Sequence, residues 1–179
     1  MKKIYWAGIG SRETPQELKQ LIKKITEELN AKGFILRSGG APGADYFFEI
    51  ASIPEQREIY LPWKGFNGNE SELYGVTFGA LNLAEKYHPY WKNLSLGAKK
   101  LMARNCYQVL GQDLKTPVSF VVCWTKDGKA SGGTGQAIRI ANDLQIPVFN
   151  LKLDGEYEAL MHYINKLESE STSLTQDLV

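Results

Sequence analysis

The sequence predicts an α/β protein with one doubly wound, mostly parallel five-stranded sheet and an aromatic-rich insert. Short apolar runs alternate with segments of helical periodicity, which is typical of βαβ units. Glycine-rich loops follow three of these runs, at the carboxyl ends of the strands, where open parallel sheets bind their ligands. The chain has 179 residues, 43% of them hydrophobic, which suits one domain with its own core. The predicted strands span residues 4–9, 34–37, 58–61, 118–124 and 147–151.

The first helix is predicted between the first two strands. Apolar residues recur at helical spacing from Leu18 to Leu29, and Gly33 supplies a stop. Residues 14–17, Thr-Pro-Gln-Glu, have the pattern of a capping box at its start. Further helices are predicted at residues 43–51, 98–110, 135–144 and 156–167.

One domain is predicted over residues 1–167, and it contains an insert at residues 62–97. Connections between strands and helices usually take roughly 2–6 residues, so this longer segment needs its own structure or a function as a lid. Most of its aromatic residues are expected to cover the sheet edge. Trp63 follows the third strand, where its indole could stack on a base. The aromatic set is Trp63, Phe66, Tyr74, Phe78, Tyr87, His88, Tyr90 and Trp91.

The last residues, 168–179, turn to serine, threonine and glutamate. Such a composition buries little apolar surface, so a flexible C-terminal tail is predicted there.

Composition narrows the classes of function. Lys and Arg total 21 against 20 for Asp and Glu, so the long-range field is weak and argues against a protein that coats DNA. The two cysteines, Cys106 and Cys123, do not form a disulfide framework. No signal peptide or membrane-spanning run is visible. We therefore expect a cytoplasmic protein with no metal site, no resident cofactor and no membrane partner.

The first two glycine-rich loops each join a strand to a helix. Gly10, Ser11 and Arg12 follow the first strand, where backbone N–H groups can approach an anion and the guanidinium can bind phosphate. The second loop, residues 38–45, can line an oxyanion nest with its serine and glycines. Asp45 falls in the first helical turn, where two roles are open: capping the helix, or binding ribose and acting as an acid or base.

The third loop precedes another helix and carries Ser-Gly-Gly-Thr-Gly-Gln at residues 131–136. Its glycines allow close approach of backbone to phosphate. Arg104 and Asn105 lie on the helix after the insert, where Arg104 is either a solvated helix residue or, if the helix returns to the sheet beside the pocket, a phosphate clamp. The carboxyl ends of parallel strands share one edge, so three such loops predict one site for a phosphorylated nucleotide-type ligand. The chain has neither the lysine loop of nucleoside triphosphatases nor a dinucleotide fingerprint.

In order along the chain, residues 10–12, 38–45, 104–105 and 132–135 resemble the motifs of the SLOG superfamily. This group includes DprA-like proteins, LOG phosphoribohydrolases and nucleotide-sensing domains of bacterial and phage conflict systems. The likeness is strongest to small stand-alone DprA-like members. It implies a Rossmann-like fold that binds nucleotides, nucleotide-derived signals or single-stranded DNA.

The sequence departs from the LOG enzymes at their catalytic motif, which resembles Pro-Gly-Gly-x-Gly-Thr-x-x-Glu. Ser131, Gln136 and Arg139 stand where those enzymes have proline, threonine and the catalytic glutamate. Cleavage of an N-glycosidic bond would need another carboxylate near the ribose. The candidates are Asp45, Glu49, Glu13 and Asp127, and Asp45 and Glu49 are the catalytic pair predicted if the protein is an enzyme.

Three functions remain open. The first is binding of a cyclic or ADP-ribose-type nucleotide signal, held rather than converted, as an anti-defence protein would do. The second is hydrolysis of a nucleotide N-glycosidic bond, and the third is DprA-like binding of single-stranded DNA. A homodimer or tetramer is expected. The predicted ligand-binding residues are Gly10, Ser11, Arg12, Ser38, Gly39, Gly40, Gly43, Asp45, Trp63, Arg104, Asn105, Trp124, Gly132, Gly133, Thr134, Gly135 and Gln136.

Overall fold

The computed structural model describes residues 2–176 and confirms the predicted fold class. Five strands form one entirely parallel sheet in the order β3-β2-β1-β4-β5. The strands are β1 (Tyr5–Gly10), β2 (Ile35–Ser38), β3 (Arg57–Ile59), β4 (Phe120–Trp124) and β5 (Val148–Asn150).

Six α-helices cover the two faces of the sheet. They are α1 (Lys19–Ala31), α2 (Ala44–Ala51), α3 (Phe78–Tyr87), α4 (Leu96–Leu110), α5 (Gly132–Asp143) and α6 (Glu156–Gln176). Helices α1, α2 and α6 pack on one face around Trp6, Phe48 and Phe120. Helices α3, α4 and α5 pack on the other face around Ile9, Val121 and Cys123. Because both faces are covered, β4 is buried along its whole length, as expected of a central parallel strand.

The insert contains α3, which the sequence did not predict. Thr77 caps this helix by accepting a hydrogen bond from the Ala80 N–H at 3.2 Å. The Tyr107 hydroxyl on α4 accepts from the Thr77 N–H at 2.9 Å, which ties the insert to the helix α4 that packs on the sheet. Tyr87 and Trp91 pack against the core, whereas Phe78 and Tyr90 are exposed. Some of the aromatic residues of the insert therefore cover the core, and others do not.

The capping box predicted before α1 does not form. The Thr14 hydroxyl donates to the Ser11 carbonyl at 2.6 Å, so it is used inside the first loop instead of at the helix start. A short 3₁₀ turn, Gln16–Leu18, leads into α1 without any side-chain cap. The predicted stop is confirmed, because Gly33 adopts φ 76° immediately after the helix.

The last helix extends past its predicted end at residue 167. Helix α6 continues to Gln176, so most of the segment expected to be a tail is helical. Its flexibility stays a prediction, and residues 177–179 lie outside the described residues. None of the helices within residues 2–176 is long and apolar enough to cross a lipid bilayer.

Candidate functional site

The three glycine-rich loops meet at one cavity of about 580 Å³, which we call the loop cavity. It opens at the carboxyl ends of β1 and β4, the neighbouring strands at which the strand order reverses. Such a reversal point is where open α/β sheets bind their ligands. The predicted residues that line it are Gly10, Ser11, Arg12, Asp45, Arg104, Asn105, Gly132, Gly133 and Thr134.

The first loop crosses the end of β4 and contacts the start of α2. The Ser11 N–H donates to the Trp124 carbonyl at 3.0 Å, and the Ser11 carbonyl accepts from the Ala44 N–H at 3.3 Å. A Cβ on Gly10 would lie 2.6 Å from the Ala44 Cβ, so this close approach requires glycine. Arg12 is exposed at the cavity rim, and it makes no hydrogen bond or ion pair within the described part of the chain. Its guanidinium is therefore available to an anion.

Asp45 is buried in the wall of the loop cavity, where its carboxylate joins the first two loops. Its two oxygens accept hydrogen bonds from the Gly10 and Ala41 N–H groups, both at 3.3 Å. Burial raises the pKa of Asp45 from 3.8 to about 6, because loss of solvent outweighs the attraction of Arg104 and the two N–H groups. The carboxyl group thus binds backbone amides and also lines the loop cavity.

Arg104 and Asn105 connect the helix α4 to the loops on both sides of the cavity. Arg104 is buried, and its Nη1 donates to the Gly39 carbonyl and to the Tyr60 carbonyl, the latter at 3.2 Å. Loss of solvent lowers the pKa of this guanidinium below its usual range. Asn105 Nδ2 donates to the Gly133 carbonyl at 2.8 Å. Both side chains line the cavity, and both also position its loops.

The third loop presents the start of α5 to the cavity. The first intrahelical bond runs from the Gly135 N–H to the Ser131 carbonyl at 2.9 Å. The N–H groups of Gly132, Gly133 and Thr134 therefore have no acceptor inside the helix. Ser131 does not cap them, because its hydroxyl donates to Asp127 at 2.6 Å. This helix start therefore presents N–H groups and a positive partial charge to the cavity, an arrangement that favours an anion.

Four predicted residues of the second loop do not line the loop cavity. Ser38 donates its hydroxyl to the Gly8 carbonyl at 2.6 Å and is fully buried. Gly39 has no room for a side chain, because a Cβ would collide with Gln108 and Arg104. Gly43 begins α2 with φ 82°, against the backbone of the first loop. Gly40 faces a different cavity, of about 760 Å³, together with Glu49.

The remaining predicted residues also lie outside the loop cavity. Trp63 is 39% exposed and packs edge-on against Phe66. Trp124 is buried and contributes its carbonyl to the first loop. Gly135 packs against the Ala130 backbone. Gln136 is fully buried, donating to the Ala84 carbonyl at 2.7 Å and accepting from Arg139 at 2.9 Å.

The two catalytic candidates are separated. Asp45 lines the loop cavity, but the Glu49 carboxylate accepts from Asn69 at 2.9 and 3.0 Å in the second cavity. Glu13 and Asp127 lie at the rim of the loop cavity. Lys126 pairs with Glu13 at 3.6 Å, and hydrogen bonds from Ser131 and the Lys129 N–H lower the pKa of Asp127.

Several lining residues were absent from the sequence prediction. Lys126 and Thr125 follow β4 directly, and their place after a strand was a usable signal. Leu101, Met102 and Gln108 join Arg104 and Asn105 on one face of α4. These residues are three or four positions from Arg104 or Asn105, so they lie on the same side of the helix. Once Arg104 and Asn105 are placed at the cavity, this spacing predicts the other lining residues of α4.

Comparisons with known proteins support the fold. No family model matches the chain, and no curated protein matches it. A solved structure of DNA processing protein A from Helicobacter pylori, described for its single-stranded DNA binding mode, superposes with a TM-score of 0.51 at 16% identity. The match covers 97% of this chain and 81% of that one. The chain thus has the Rossmann-like fold of DNA processing protein A.

Proposed function

We propose that the protein binds a small phosphorylated nucleotide-type ligand in the loop cavity and holds it without converting it. The observation that carries this proposal is the meeting of three glycine-rich loops around one cavity of about 580 Å³. That volume lies within the range of roughly 300–1,000 Å³ typical of small-molecule sites. A cyclic nucleotide or an ADP-ribose-type signal has the required chemistry.

The phosphate would bind where the first and third loops face each other. Three N–H groups at the start of α5 have no intrahelical acceptor, and the helix dipole adds positive partial charge there. Arg12 adds a full charge from the opposite loop. The site resembles other helix starts that bind phosphate through backbone amides.

The sugar would bind beside Asp45, which the backbone N–H groups of Gly10 and Ala41 hold in place. A carboxylate accepts two or more hydrogen bonds at each oxygen, so both oxygens retain acceptor capacity for hydroxyl groups.

The proposal that the ligand is held and not cleaved is supported by Arg139, which stands where the LOG enzymes have their catalytic glutamate. Arg139 there donates to the Tyr87 carbonyl at 2.8 Å and to Gln136, and it does not line the loop cavity. A cation bound to backbone cannot act as the general base that glycosidic cleavage requires. Asp45 is the candidate acid or base if cleavage occurs, because its carboxyl lines the cavity with a pKa near 6.

A second candidate function, binding of single-stranded DNA, is favoured by the described binding mode of the structural neighbour. The net charge of +1 supplies little general attraction to a polyanion, so we rank this function second.

The test is a thermal-shift screen against mono-, di-, cyclic and ADP-ribose-type nucleotides and a short oligonucleotide. A ligand at a hundred times its dissociation constant should stabilise the fold by about 2.7 kcal/mol. Chromatography after denaturation should then recover the ligand intact. Free base or ribose phosphate would establish an enzyme instead, and a melting shift with the oligonucleotide alone would establish DNA binding.

A further inference from the structure

Besides Arg12, the loop cavity is lined by another polar side chain that makes no hydrogen bond within the described part of the chain. This side chain is Gln108, at the end of the cavity away from α5. Gln108 lines the cavity and is only 2% exposed. Its carboxamide forms no hydrogen bond with any other residue that the structure describes. Because the carboxamide borders the cavity, its unused donor and acceptor are available to a ligand that enters there.

The position of Gln108 follows from the path of α4 along the cavity. Asn105 contacts the start of α5 through Gly133, and the Met102 methyl group also lies beside Gly133. Gln108 lies about 4.5 Å farther along the helix axis, at a rise of 1.5 Å per residue. There it adjoins Gly39 at the end of β2, a glycine whose missing side chain leaves space for the carboxamide. The phosphate-binding end and Gln108 are thus at different ends of one helix face.

The neighbours of Gln108 show which chemistry this end would accept. The nearby Arg104 guanidinium is engaged by the Gly39 and Tyr60 carbonyls. Leu101 and Ala41 add apolar surface to the cavity wall. The Gln108 carboxamide is neutral, has a donor beside an acceptor, and lies next to apolar groups. These features suit a flat, uncharged part of a ligand that has an acceptor beside a donor along its edge.

We propose that Gln108 hydrogen-bonds the edge of the ligand's nucleobase and thereby determines which nucleotide binds. This inference rests on the proposed function, because it needs the phosphate bound at the α5 end. The four nucleobases each present an adjacent donor and acceptor, and a side-chain amide pairs with such an edge through two hydrogen bonds. Ribose 5-phosphate has no base, and purine riboside 5′-monophosphate has a ring without the exocyclic group.

The experiment measures the affinities of wild type, Gln108→Leu and Gln108→Glu by calorimetry. The probes are the four ribonucleoside 5′-monophosphates, purine riboside 5′-monophosphate and ribose 5-phosphate. Wild type should bind at least one natural nucleotide about tenfold or more tightly than both analogues. Gln108→Leu should remove that preference and leave ribose 5-phosphate affinity within about twofold, which also shows that the variant is folded. Gln108→Glu keeps the shape but loses the donor, so it should also lose the preference.

The control is Gln20→Leu, which changes an exposed glutamine on α1 away from the cavity and should alter no affinity. Equal discrimination by wild type and both Gln108 variants would overturn the inference about Gln108 and leave the phosphate site standing. Failure of the wild type to bind any of the six probes would overturn the inference about Gln108. The thermal-shift screen, which includes cyclic and ADP-ribose-type nucleotides, decides the nucleotide proposal separately.

Discussion

The carboxylate of Asp45 lies 3.3 Å from the backbone nitrogen of Gly10, so the first turn of α2 is hydrogen-bonded to the end of β1. The folded pKa of Asp45, about 6, exceeds its ordinary value of 3.8, because burial disfavours the charged form. Between about pH 4 and 6 the folded chain therefore binds more protons here than the unfolded chain. The contribution of Asp45 to stability falls as pH rises through this window.

Asp45→Asn should reveal this titration. The free energy of unfolding is measured by urea titration for wild type and variant. The wild-type minus variant difference should fall by about 2 kcal/mol between pH 4 and 7. Asp113→Asn is the control, since hydrogen bonds from the Lys115 N–H and the Thr116 hydroxyl lower the pKa of the exposed Asp113. Its contribution should be lost as pH falls, with the opposite sign. A pH-independent difference for Asp45→Asn would contradict the raised pKa.

Arg12→Ala should weaken a phosphorylated ligand far more than the matching nucleoside without phosphate. Removal of one charge-assisted hydrogen-bond donor costs about 1.5–3 kcal/mol, or roughly 10- to 100-fold in affinity. Calorimetry with both ligands makes the comparison, and Lys64→Ala, an exposed cation outside the cavity, is the control. Equal loss for both ligands would remove Arg12 from the phosphate role.

Gly39→Ala should destabilise the fold, because its methyl group would collide with Gln108 and Arg104. Such overpacking typically costs about 1–3 kcal/mol. Gly97→Ala is the matched control within α4, where a Cβ meets nothing within 4 Å. Gly97 lies in the first turn of α4, so the change should alter stability by less than about 0.5 kcal/mol. Urea unfolding of both variants checks this, and equal effects would show that the space beside Gly39 is not restricted.

Gln136→Leu should lower stability without changing ligand affinity. The substitution leaves the Ala84 carbonyl and an Arg139 donor without their buried partner, at a cost of about 1–3 kcal/mol. Thermal melts and calorimetry with ribose 5-phosphate separate the two effects. Lost affinity at unchanged stability would restore Gln136 to the ligand-binding set that the sequence predicts.

The sheet and the loop cavity could be predicted because both depend on local patterns. Apolar runs followed by glycine loops identify the strand ends, and the parallel topology brings residues 10–12 and 132–134 to one edge. Helix α3 was missed, since its apolar residues lie within a segment whose aromatic content dominates the pattern. Asn69, the partner of the Glu49 carboxylate, is 20 residues away, and Ala84, the acceptor for Gln136, is 52 residues away. No local pattern indicates such contacts.

The strand order also has a consequence for the order of folding. Strands β1, β2 and β3 lie within the first 59 residues, but β1 pairs with β4 only after the insert, with Trp6 opposite Phe120. Pairing β1 with β4 closes the long loop of chain between them, which costs conformational entropy before the contacts form. Pairing between strands so far apart in the sequence therefore slows folding. The loop cavity straddles this junction, so we expect it to be among the last parts of the molecule to assemble. A bound ligand would then act as a clamp on the junction, and amide exchange along β4 would report its occupancy.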